Sequence, residues 1–399
     1  MQNLILSLKS GDWVTVERLR VYSWTLLFFW FCAIATVVLT AQGGLDFLGR
    51  PLGTDFVNVW SAGRMVLDGR AIDVYDPSLH HLVQQAAFQA PDLPFYGWHY
   101  PPFFLAVAAA LAALPYGWAL LAWMSATFPL YIGVMRKVAV FPLTALVATA
   151  YPAVAINLIH GQNGFANAAL LGAGLLLLDR RPVLSGLAFG LLAYKPQFGV
   201  LIPLVLMVTG RWTVFGAATV TVLTMVGLST WGFGVDIWSA FMASTTFTRE
   251  VVLESGALSW DKLVSVFASL RMMGASVTVA YLGQGLMALC AAAATLWLWR
   301  RPVALALKSA GLVTAALLAT PYALDYDMVV LGLGLAWMAS HGLKHGFLAW
   351  EKSALVLVWV TPLVCRIAAT ALHLPLGVLV MVMFLGLIIR RARHDLSLA

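Results

Sequence analysis

Charged side chains and cysteines are both scarce in this sequence. Of its 399 residues, 10% are charged and three are cysteines, and the cysteines have neither disulfide-pair nor metal-ligand spacing. We therefore expect Cys32, Cys290 and Cys365 to be small apolar side chains within helices. The sequence also lacks Walker, dinucleotide-binding and HExxH motifs, so it indicates no cofactor, no metal and no cytosolic nucleotide chemistry.

Apolar residues dominate what remains. The composition is 61% hydrophobic with a mean hydropathy of +0.88, which is more than a soluble core can bury. The sequence therefore predicts an all-α polytopic integral membrane protein, with residues 1–399 forming a single transmembrane domain. Its candidate crossings are the apolar runs 22–41, 101–115, 117–135, 138–156, 164–178, 183–196, 197–209, 213–232, 275–299, 303–320, 327–340, 353–370 and 374–390.

Basic residues flank these runs in a pattern that sets the orientation. Their cytoplasmic placement satisfies the positive-inside rule, and it explains the net charge of +7 without nucleic acid. Both termini then lie inside, which requires an even number of crossings. We therefore expect about 12 helices in a bacterial inner membrane, with one run between 101 and 156 that fails to cross. Pro115 and Pro152 are the expected break points.

The acidic residues concentrate in two segments that fall on the opposite side. Six lie within 42–99, the expected first periplasmic loop, and four lie within 233–262, the expected second one. In the first loop, Asp55 precedes an apolar stripe formed by Phe56, Trp60, Gly63 and Leu67 at helical spacing. Asp76-Pro77 opens a second helix, with Leu79, Leu82, Val83 and Ala86 on one side. We expect both amphipathic helices to lie at the membrane interface.

Two polar features of these outer segments each have a structural and a functional interpretation. Asp55 is either an N-cap carboxylate or a general base, and the two roles are compatible. The His160–Gly164 sequence is either a polar Asn-Gly turn or a site where Gln162 and Asn163 bind a sugar or phosphate.

Cations near the ends of apolar runs suggest a second part of a site. Lys195 interrupts one such region, where it either snorkels or binds an anionic phosphate. For Arg366, the two interpretations are snorkelling or pairing with an acid, and binding a phosphate. His99 is either an interfacial or a catalytic histidine.

A third polar break, Thr320–Asp327, is either a Pro-led turn or a sugar-facing cluster that includes Tyr322 and Asp325. Arg64 most simply pairs with Asp68, four residues further along a helix, and it is also a possible sugar-binding residue.

The order of short motifs across residues 50–215 resembles glycosyltransferase family 87, whose members are C-fold membrane enzymes that use polyprenyl-phosphate sugars. The matching motifs are Asp55-Phe56, Trp60-x-Ala62-Gly63, Leu67-Asp68-Gly69, Tyr75-Asp76, Tyr100-Pro101-Pro102-Phe103, Leu114-Pro115, Gly161-Gln162-Asn163-Gly164, Gly186 to Gly190, Lys195-Pro196-Gln197 and Arg211-Trp212. The resemblance extends loosely to Thr320–Asp327.

This resemblance implies a metal-independent, inverting transfer of a hexose such as mannose to a lipid or glycan acceptor on the periplasmic side. The family's catalytic aspartate lies shortly after the first span, where Asp55 stands in this sequence. Lys195 or His99 is the cation expected for the departing phosphate. The donor and its phosphate are accordingly expected at Lys195, His99, Tyr100, Gln162 and Asn163.

Two other classes of protein remain open at this level. A transporter or lipid flippase would place ionisable groups at mid-membrane on broken helices in two similar halves, but no internal repeat is apparent. A non-catalytic scaffold would leave Asp55 dispensable.

Overall fold

A computed structural model describes residues 2–398, and almost all of its regular structure is helical. Between these residues there is no β-strand, only three isolated bridges, so the all-α prediction is confirmed. The helices of the amino-terminal half are α1 (Gln2–Ser10), α2 (Val16–Leu39), α3 (Phe56–Leu67), α4 (Pro77–Phe88), α5 (Leu105–Ala112), α6 (Tyr116–Val138), α7 (Thr144–Ala150), α8 (Pro152–His160), α9 (Gly164–Leu177) and α10 (Pro182–Leu191). Those that follow are α11 (Pro196–Gly199), α12 (Ile202–Val208), α13 (Trp212–Phe233), α14 (Asp236–Phe247), α15 (Val266–Met272), α16 (Val277–Arg300), α17 (Leu305–Ala319), α18 (Leu331–His345), α19 (Glu351–Leu372) and α20 (Leu376–Leu398).

Among residues 2–398, five helices are long and apolar enough to cross a membrane: α2, α6, α13, α16 and α19. Shorter apolar stretches lie between them, and Pro102–Ala112, Gly164–Leu177, Pro182–Tyr194, Pro196–Val208 and Leu305–Ala319 are the main ones. The chain is therefore a helical membrane protein.

The expected break points are confirmed. Pro115 separates α5 from α6, and the run predicted over 138–156 is divided into α7 and α8 at Tyr151-Pro152. Proline supplies no backbone N–H and restricts the residue before it, which explains why a helix ends at each position.

Several short helices meet at one end of the bundle. The α9 and α17 helices contain 14 and 15 residues. At 1.5 Å per residue they are about 21–23 Å long, which is shorter than the roughly 30 Å hydrocarbon core. Gly161–Asn163 precedes α9, and Thr320–Leu324 follows α17. Both segments are irregular backbone, and they lie at the same end of the bundle as Lys195.

Both predicted helices of the first outer loop are present, but their buried faces differ from the prediction. Helix α3 buries Phe56 and Gly63 as expected, because a Cβ on Gly63 would lie 2.0 Å from the carbonyl oxygen of Ala108 in α5. The predicted stripe fails at Leu67, which is 50% exposed. Helix α3 instead buries polar Asn58 and Ser61, since it is enclosed by α4 and α5.

Helix α4 differs from its prediction in the same way. Asp76 caps it by accepting hydrogen bonds from the backbone N–H groups of Ser78 and Leu79 at 2.8 and 3.1 Å, as predicted. Its buried face, however, carries His80 and Gln84, while Leu82 is exposed. The polar residues face α3 because His80 contacts the carbonyl oxygen of Asn58, at 3.2 Å.

The second outer segment packs against the first. Phe241 of α14 lies edge-on to Tyr75, with ring centroids 5.8 Å apart, and Phe247 contacts Phe95 in the same way. A π-helical segment, Thr248–Glu254, continues from α14. Together these segments form a layer over the end of the bundle where the short helices meet.

Candidate active site

Asp55 stands at the start of α3, and its side chain points away from the helix. It occupies the N-cap position, but its carboxylate accepts no hydrogen bond from the helix backbone, so the N-cap interpretation is wrong. Its backbone N–H instead donates to the carbonyl oxygen of His160 at 3.1 Å. The carboxylate oxygen Oδ2 accepts a hydrogen bond from Nε2 of Gln162 at 2.9 Å.

The His160–Gly164 turn brings Gln162 to Asp55. Gly161 ends α8 with φ of +62°, and a Cβ at this position would lie 2.7 Å from Cβ of Phe56. Asn157 holds the turn by donating to the carbonyl oxygen of Gln162 at 3.1 Å and accepting from the backbone N–H of Gly164 at 2.9 Å. The segment is therefore a turn, as predicted, but its turn residue is Gly161, and Asn163-Gly164 begins α9. Glycine is needed here for both conformation and space.

Gln162 is the last donor of a hydrogen-bonded chain that crosses the site. Asn163 donates from Nδ2 to the hydroxyl of Tyr100 at 3.0 Å, and that hydroxyl donates to Oε1 of Gln162 at 3.4 Å. Asn163 itself accepts from Asn167 at 3.2 Å, and Asn167 accepts from the hydroxyl of Tyr194. We call these residues the amide–tyrosine chain: Tyr194, Asn167, Asn163, Tyr100, Gln162 and Asp55.

Every link of the amide–tyrosine chain donates in one direction, toward the Asp55 carboxylate. Burial raises the pKa of Tyr100, so its hydroxyl stays protonated and available as a donor. Gln162 and Asn163, predicted to contact sugar or phosphate, are 6% and 3% exposed and bond to protein groups. The structure therefore places both amides on the protein-facing side of Asp55. Asn167 and Tyr194 were not predicted, although the i, i+4 spacing of Asn163 and Asn167 was a readable signal.

Tyrosines surround the carboxylate. Burial and the negative charge of Asp55 raise the pKa of Tyr96 to about 12. The same two causes, burial first, raise the pKa of Tyr322 and Tyr326 above the ordinary value. The predicted Tyr322 is thus brought to the site, and neutral hydroxyls line it.

Lys195 lies next to Tyr194 of the amide–tyrosine chain, and its charge is already paired. Nζ of Lys195 is 2.8 Å from Oδ1 of Asp327, and both side chains are buried. The other oxygen of Asp327 accepts the backbone N–H of Leu324 at 3.1 Å. The aromatic faces of Tyr326 and Phe198 lie 5.3 and 5.6 Å from Nζ. Snorkelling is excluded by this burial, and Asp327 is the partner that the sequence did not reveal.

His99 lies at the site with a neutral ring. Burial and the nearby charge of Lys195 lower its pKa to about 4, so the ring is neutral near pH 7. Its Nδ1 lies 2.8 Å from the hydroxyl of Thr248, and its ring contacts Tyr322. His99 therefore joins the two outer segments at the site, and its role toward a donor phosphate stays a prediction.

Arg366 is the more accessible cation, and it lies between two carboxylates. Its Nε is 3.1 Å from Asp261 and its Nη1 is 4.0 Å from Asp325, while 43% of its side chain is exposed. Burial raises the pKa of Asp325 above its ordinary value. Pairing, one of the two interpretations of Arg366, is thus correct.

Arg64 lies outside this group. It faces Asp68 at 3.8 Å, the predicted i, i+4 pair, and both side chains are exposed. Nine residues separate Arg64 from Asp55, or about 14 Å along a helix. Its proposed sugar contact is not supported. In the described range 2–398, no three His, Cys, Asp or Glu side chains are arranged to hold a metal ion.

Comparison with known proteins identifies the chain at the level of a family. The sequence model of glycosyltransferase family 87 matches residues 98–321, more than half of the chain. The matched segment contains five of the predicted donor-side residues but begins after Asp55. No curated protein and no solved structure matches the chain. The family match, together with the membrane-spanning helices, shows that the chain belongs to glycosyltransferase family 87 and is a membrane glycosyltransferase.

Proposed function

We propose that the chain transfers a hexose, with mannose as the first candidate, from a polyprenyl-phosphate donor to a lipid or glycan hydroxyl on the periplasmic side of a bacterial inner membrane. Asp55 is the general base. The observation that carries this assignment is the asymmetry of its carboxylate: Oδ2 is held by Gln162, whereas Oδ1 accepts no hydrogen bond from any of residues 2–398. A carboxylate fixed at one oxygen presents the other to an incoming hydroxyl.

In the proposed step, the acceptor oxygen forms a bond to the anomeric carbon while its proton passes to Oδ1 of Asp55. The bond from that carbon to the phosphate oxygen breaks, and its electron pair leaves with the polyprenyl phosphate. Attack and departure occur on opposite faces of the sugar, so the configuration inverts. The neutral tyrosines around Asp55 are suited to hydrogen bonds with sugar hydroxyls, since each hydroxyl both donates and accepts.

The departing phosphate needs a positive charge, and two side chains are candidates. Lys195 is buried and paired with Asp327, so it can bind the donor phosphate only if this ion pair breaks. Arg366 is partly exposed, and its neighbour Asp325 has a raised pKa. A guanidinium also matches the geometry of a phosphate with two parallel donors. We therefore add Arg366 to Lys195 as a donor-side residue.

The depth of the site favours a lipid-linked donor. The helices that end there are about 21–23 Å long, so their outer ends lie below the surface of a roughly 30 Å hydrocarbon core. Irregular backbone at such depth is stable only where it lines a cavity or is covered by protein. A donor carried by a polyprenyl chain reaches this depth from within the membrane.

Contacts next to α5 support 12 crossings, with both termini on the same side of the membrane. Tyr116 at the start of α6 donates to the carbonyl oxygen of Leu52, and Trp60 donates to that of Leu114, so α5 ends in the outer layer. The hydroxyl of Tyr75 donates to the carbonyl oxygen of Tyr100, so the segment before α5 lies in the same layer. The run at 101–115 is then the one that does not cross. The crossings are α2, α6, α7 with α8, α9, α10, α11 with α12, α13, α16, α17, α18, α19 and α20.

Transfer by purified protein tests the proposal. The assay combines radiolabelled polyprenyl-phosphate mannose with total membrane lipid and compares wild type with Asp55→Asn and Asp68→Asn. We expect Asp55→Asn to lose at least about 100-fold in rate, because the base is removed. Asp68→Asn, an exposed change in the same segment, is expected to keep the wild-type rate. Wild-type transfer by Asp55→Asn contradicts the mechanism, and donor movement without product formation by wild type indicates a transporter.

A further inference from the structure

A large apolar cavity lies at the other end of the bundle, far from Asp55. Its volume is about 770 Å³, which is within the usual ~300–1,000 Å³ range of ligand sites. Its walls are α18, α19, α7, the end of α6 and the start of α2. Helix α2 leaves the space open to the membrane because its apolar stretch is only 6% buried against the protein. We call this space the basic-end cavity.

The dimensions of the basic-end cavity match one leaflet of a membrane. Its residues on α18 extend from Gly332 to Leu343, which is about 16 Å at 1.5 Å per residue and half of a roughly 30 Å hydrocarbon core. Small residues of α18, including Ala336 and Ala339, form this wall and leave room for an occupant. An apolar space of this size between membrane helices is filled by hydrocarbon in preference to water.

The inner end of the cavity is closed toward the candidate active site. Tyr151 lines the cavity and donates its hydroxyl hydrogen bond to the carbonyl oxygen of Met328 at 3.0 Å. Tyr131, also in the wall, donates to the carbonyl oxygen of Ala148 at 3.4 Å. These two hydrogen-bonded tyrosines therefore separate the cavity from the segment that carries Asp327, and the exposed face of α2 leaves its other side open to the membrane.

The rim of the cavity carries a net positive charge. Its ionisable side chains are Arg18, Lys352 and Asp12. Within residues 2–398, neither Arg18 nor Lys352 forms an ion pair. Arg18 donates one hydrogen bond to the carbonyl oxygen of Trp13, and Trp13 is itself fixed by a 2.9 Å hydrogen bond to Ser353. Hydrogen bonds thus fix the position of the rim, and its two cations have no carboxylate as an ion-pair partner.

We propose that the basic-end cavity binds one anionic phospholipid, with an acyl chain along α18 and the phosphate at Arg18 and Lys352. This lipid joins α2 to the rest of the bundle, and its binding does not depend on the function proposed for Asp55. Two unpaired cations at the mouth of an apolar cavity attract an anionic headgroup more strongly than a zwitterionic one.

Photocrosslinking of the full-length protein tests this proposal. The probe is phosphatidylglycerol with a diazirine at the end of one acyl chain, in phosphatidylcholine vesicles that contain the protein. We expect crosslinks in the peptide with Gly332–Leu343, reduced at least fivefold by excess unlabelled phosphatidylglycerol but not by more phosphatidylcholine. Crosslinks confined to outward-facing helix surfaces, or equal competition by the two lipids, overturn the proposal. Stronger competition by polyprenyl phosphate also overturns it.

Variants separate the acyl-chain site from the headgroup site. Ala339→Trp fills the cavity and is expected to lower crosslinking at least fivefold. Arg18→Gln with Lys352→Gln is expected to remove the preference for phosphatidylglycerol, whereas Arg20→Gln, an exposed change outside the rim, keeps it. An unchanged preference in the double variant contradicts the headgroup assignment. If Ala339→Trp fails to fold, the crosslinked peptides of the wild-type protein still test the acyl-chain site.

Discussion

Gln162 donates a hydrogen bond from Nε2 to Oδ2 of Asp55 across 2.9 Å, and 107 positions separate these residues in the chain. Gln162 is buried, and its own oxygen accepts from Tyr100. The buried Gln162 side chain, which cannot rotate freely, therefore sets the orientation of the Asp55 carboxylate. This gives Gln162 a positioning role in the proposed reaction.

Replacement of Gln162 by leucine tests that role. The change keeps the approximate size but removes a hydrogen bond to a charged group, worth about 1.5–3 kcal/mol. We expect kcat to fall about 10- to 100-fold with little change in KM, because the acceptor still binds but meets a poorly oriented base. An unchanged kcat, or an effect confined to KM, contradicts a positioning role.

The amide–tyrosine chain provides a graded control. Tyr100→Phe removes the donor to Gln162, and Tyr194→Phe removes the hydroxyl at the far end of the chain. We expect the loss in kcat to decrease with distance from Asp55, so that Tyr194→Phe retains most of the activity. Equal losses at all three positions would indicate general unfolding, which a thermal melt in detergent measures separately.

Local sequence predicted the helices and the polar turns, but not which turns meet. The polar turn between α8 and α9 and the Asp76 cap follow from neighbouring residues, and both are present, although the turn residue is Gly161 and Asn163-Gly164 begins α9. The pairing of Lys195 with Asp327 spans 132 positions, and no local pattern carries that information. The buried faces of α3 and α4 were mispredicted for a related reason, since the contact between the His80 ring and the backbone carbonyl oxygen of Asn58 is tertiary and periodicity does not reveal it.

The Lys195–Asp327 pair is expected to be costly to break from one side. Asp327→Asn leaves a buried ammonium without its partner, which destabilises a protein by about 3–5 kcal/mol. The exposed pair Arg70–Asp73 is the matched control, with the same 2.8 Å separation, and Asp73→Asn is expected to cost less than about 1 kcal/mol. Denaturant unfolding in detergent measures both. Equal small losses contradict the burial of the Lys195 pair.

Gly161 is expected to tolerate no side chain. Gly161→Ala combines a left-handed backbone, which costs about 1–2 kcal/mol, with a clash against Phe56 that adds about 1–3 kcal/mol. Gly69→Ala isolates the first effect, because Gly69 also has positive φ but open space around its Cβ position. We expect Gly161→Ala to unfold more readily and to lose transfer, while Gly69→Ala keeps transfer. Similar melting temperatures for the two variants would show that the contact with Phe56 is unimportant.

Cysteine labelling tests whether the run at 101–115 crosses. With Cys32, Cys290 and Cys365 replaced, a single cysteine at Ala113 is expected to react with an impermeant maleimide from the same side as one at Asp68. Both positions are exposed in the outer layer. A cysteine at Lys137 marks the opposite side and should react only after the membrane is opened. Labelling of the Ala113 position together with that of Lys137 would contradict 12 crossings.

Acid is expected to destabilise the outer layer through two histidines, the buried His80 and the half-buried His99. Burial lowers the pKa of His80 to about 3 and that of His99 to about 4, whereas an unfolded histidine has its ordinary pKa near 6.5. Between these values the unfolded chain binds more protons than the folded one, so the free energy of unfolding falls as pH falls from about 6.5 toward 4. From pH 7 to pH 5 we expect a loss of up to about 2 kcal/mol per histidine. The free energy of unfolding is measured at both pH values. Its slope with pH should be shallower for His80→Gln than for wild type, whereas the exposed change His394→Gln should leave this slope unchanged. A slope that His80→Gln does not alter would mean that His80 is not held neutral in the fold.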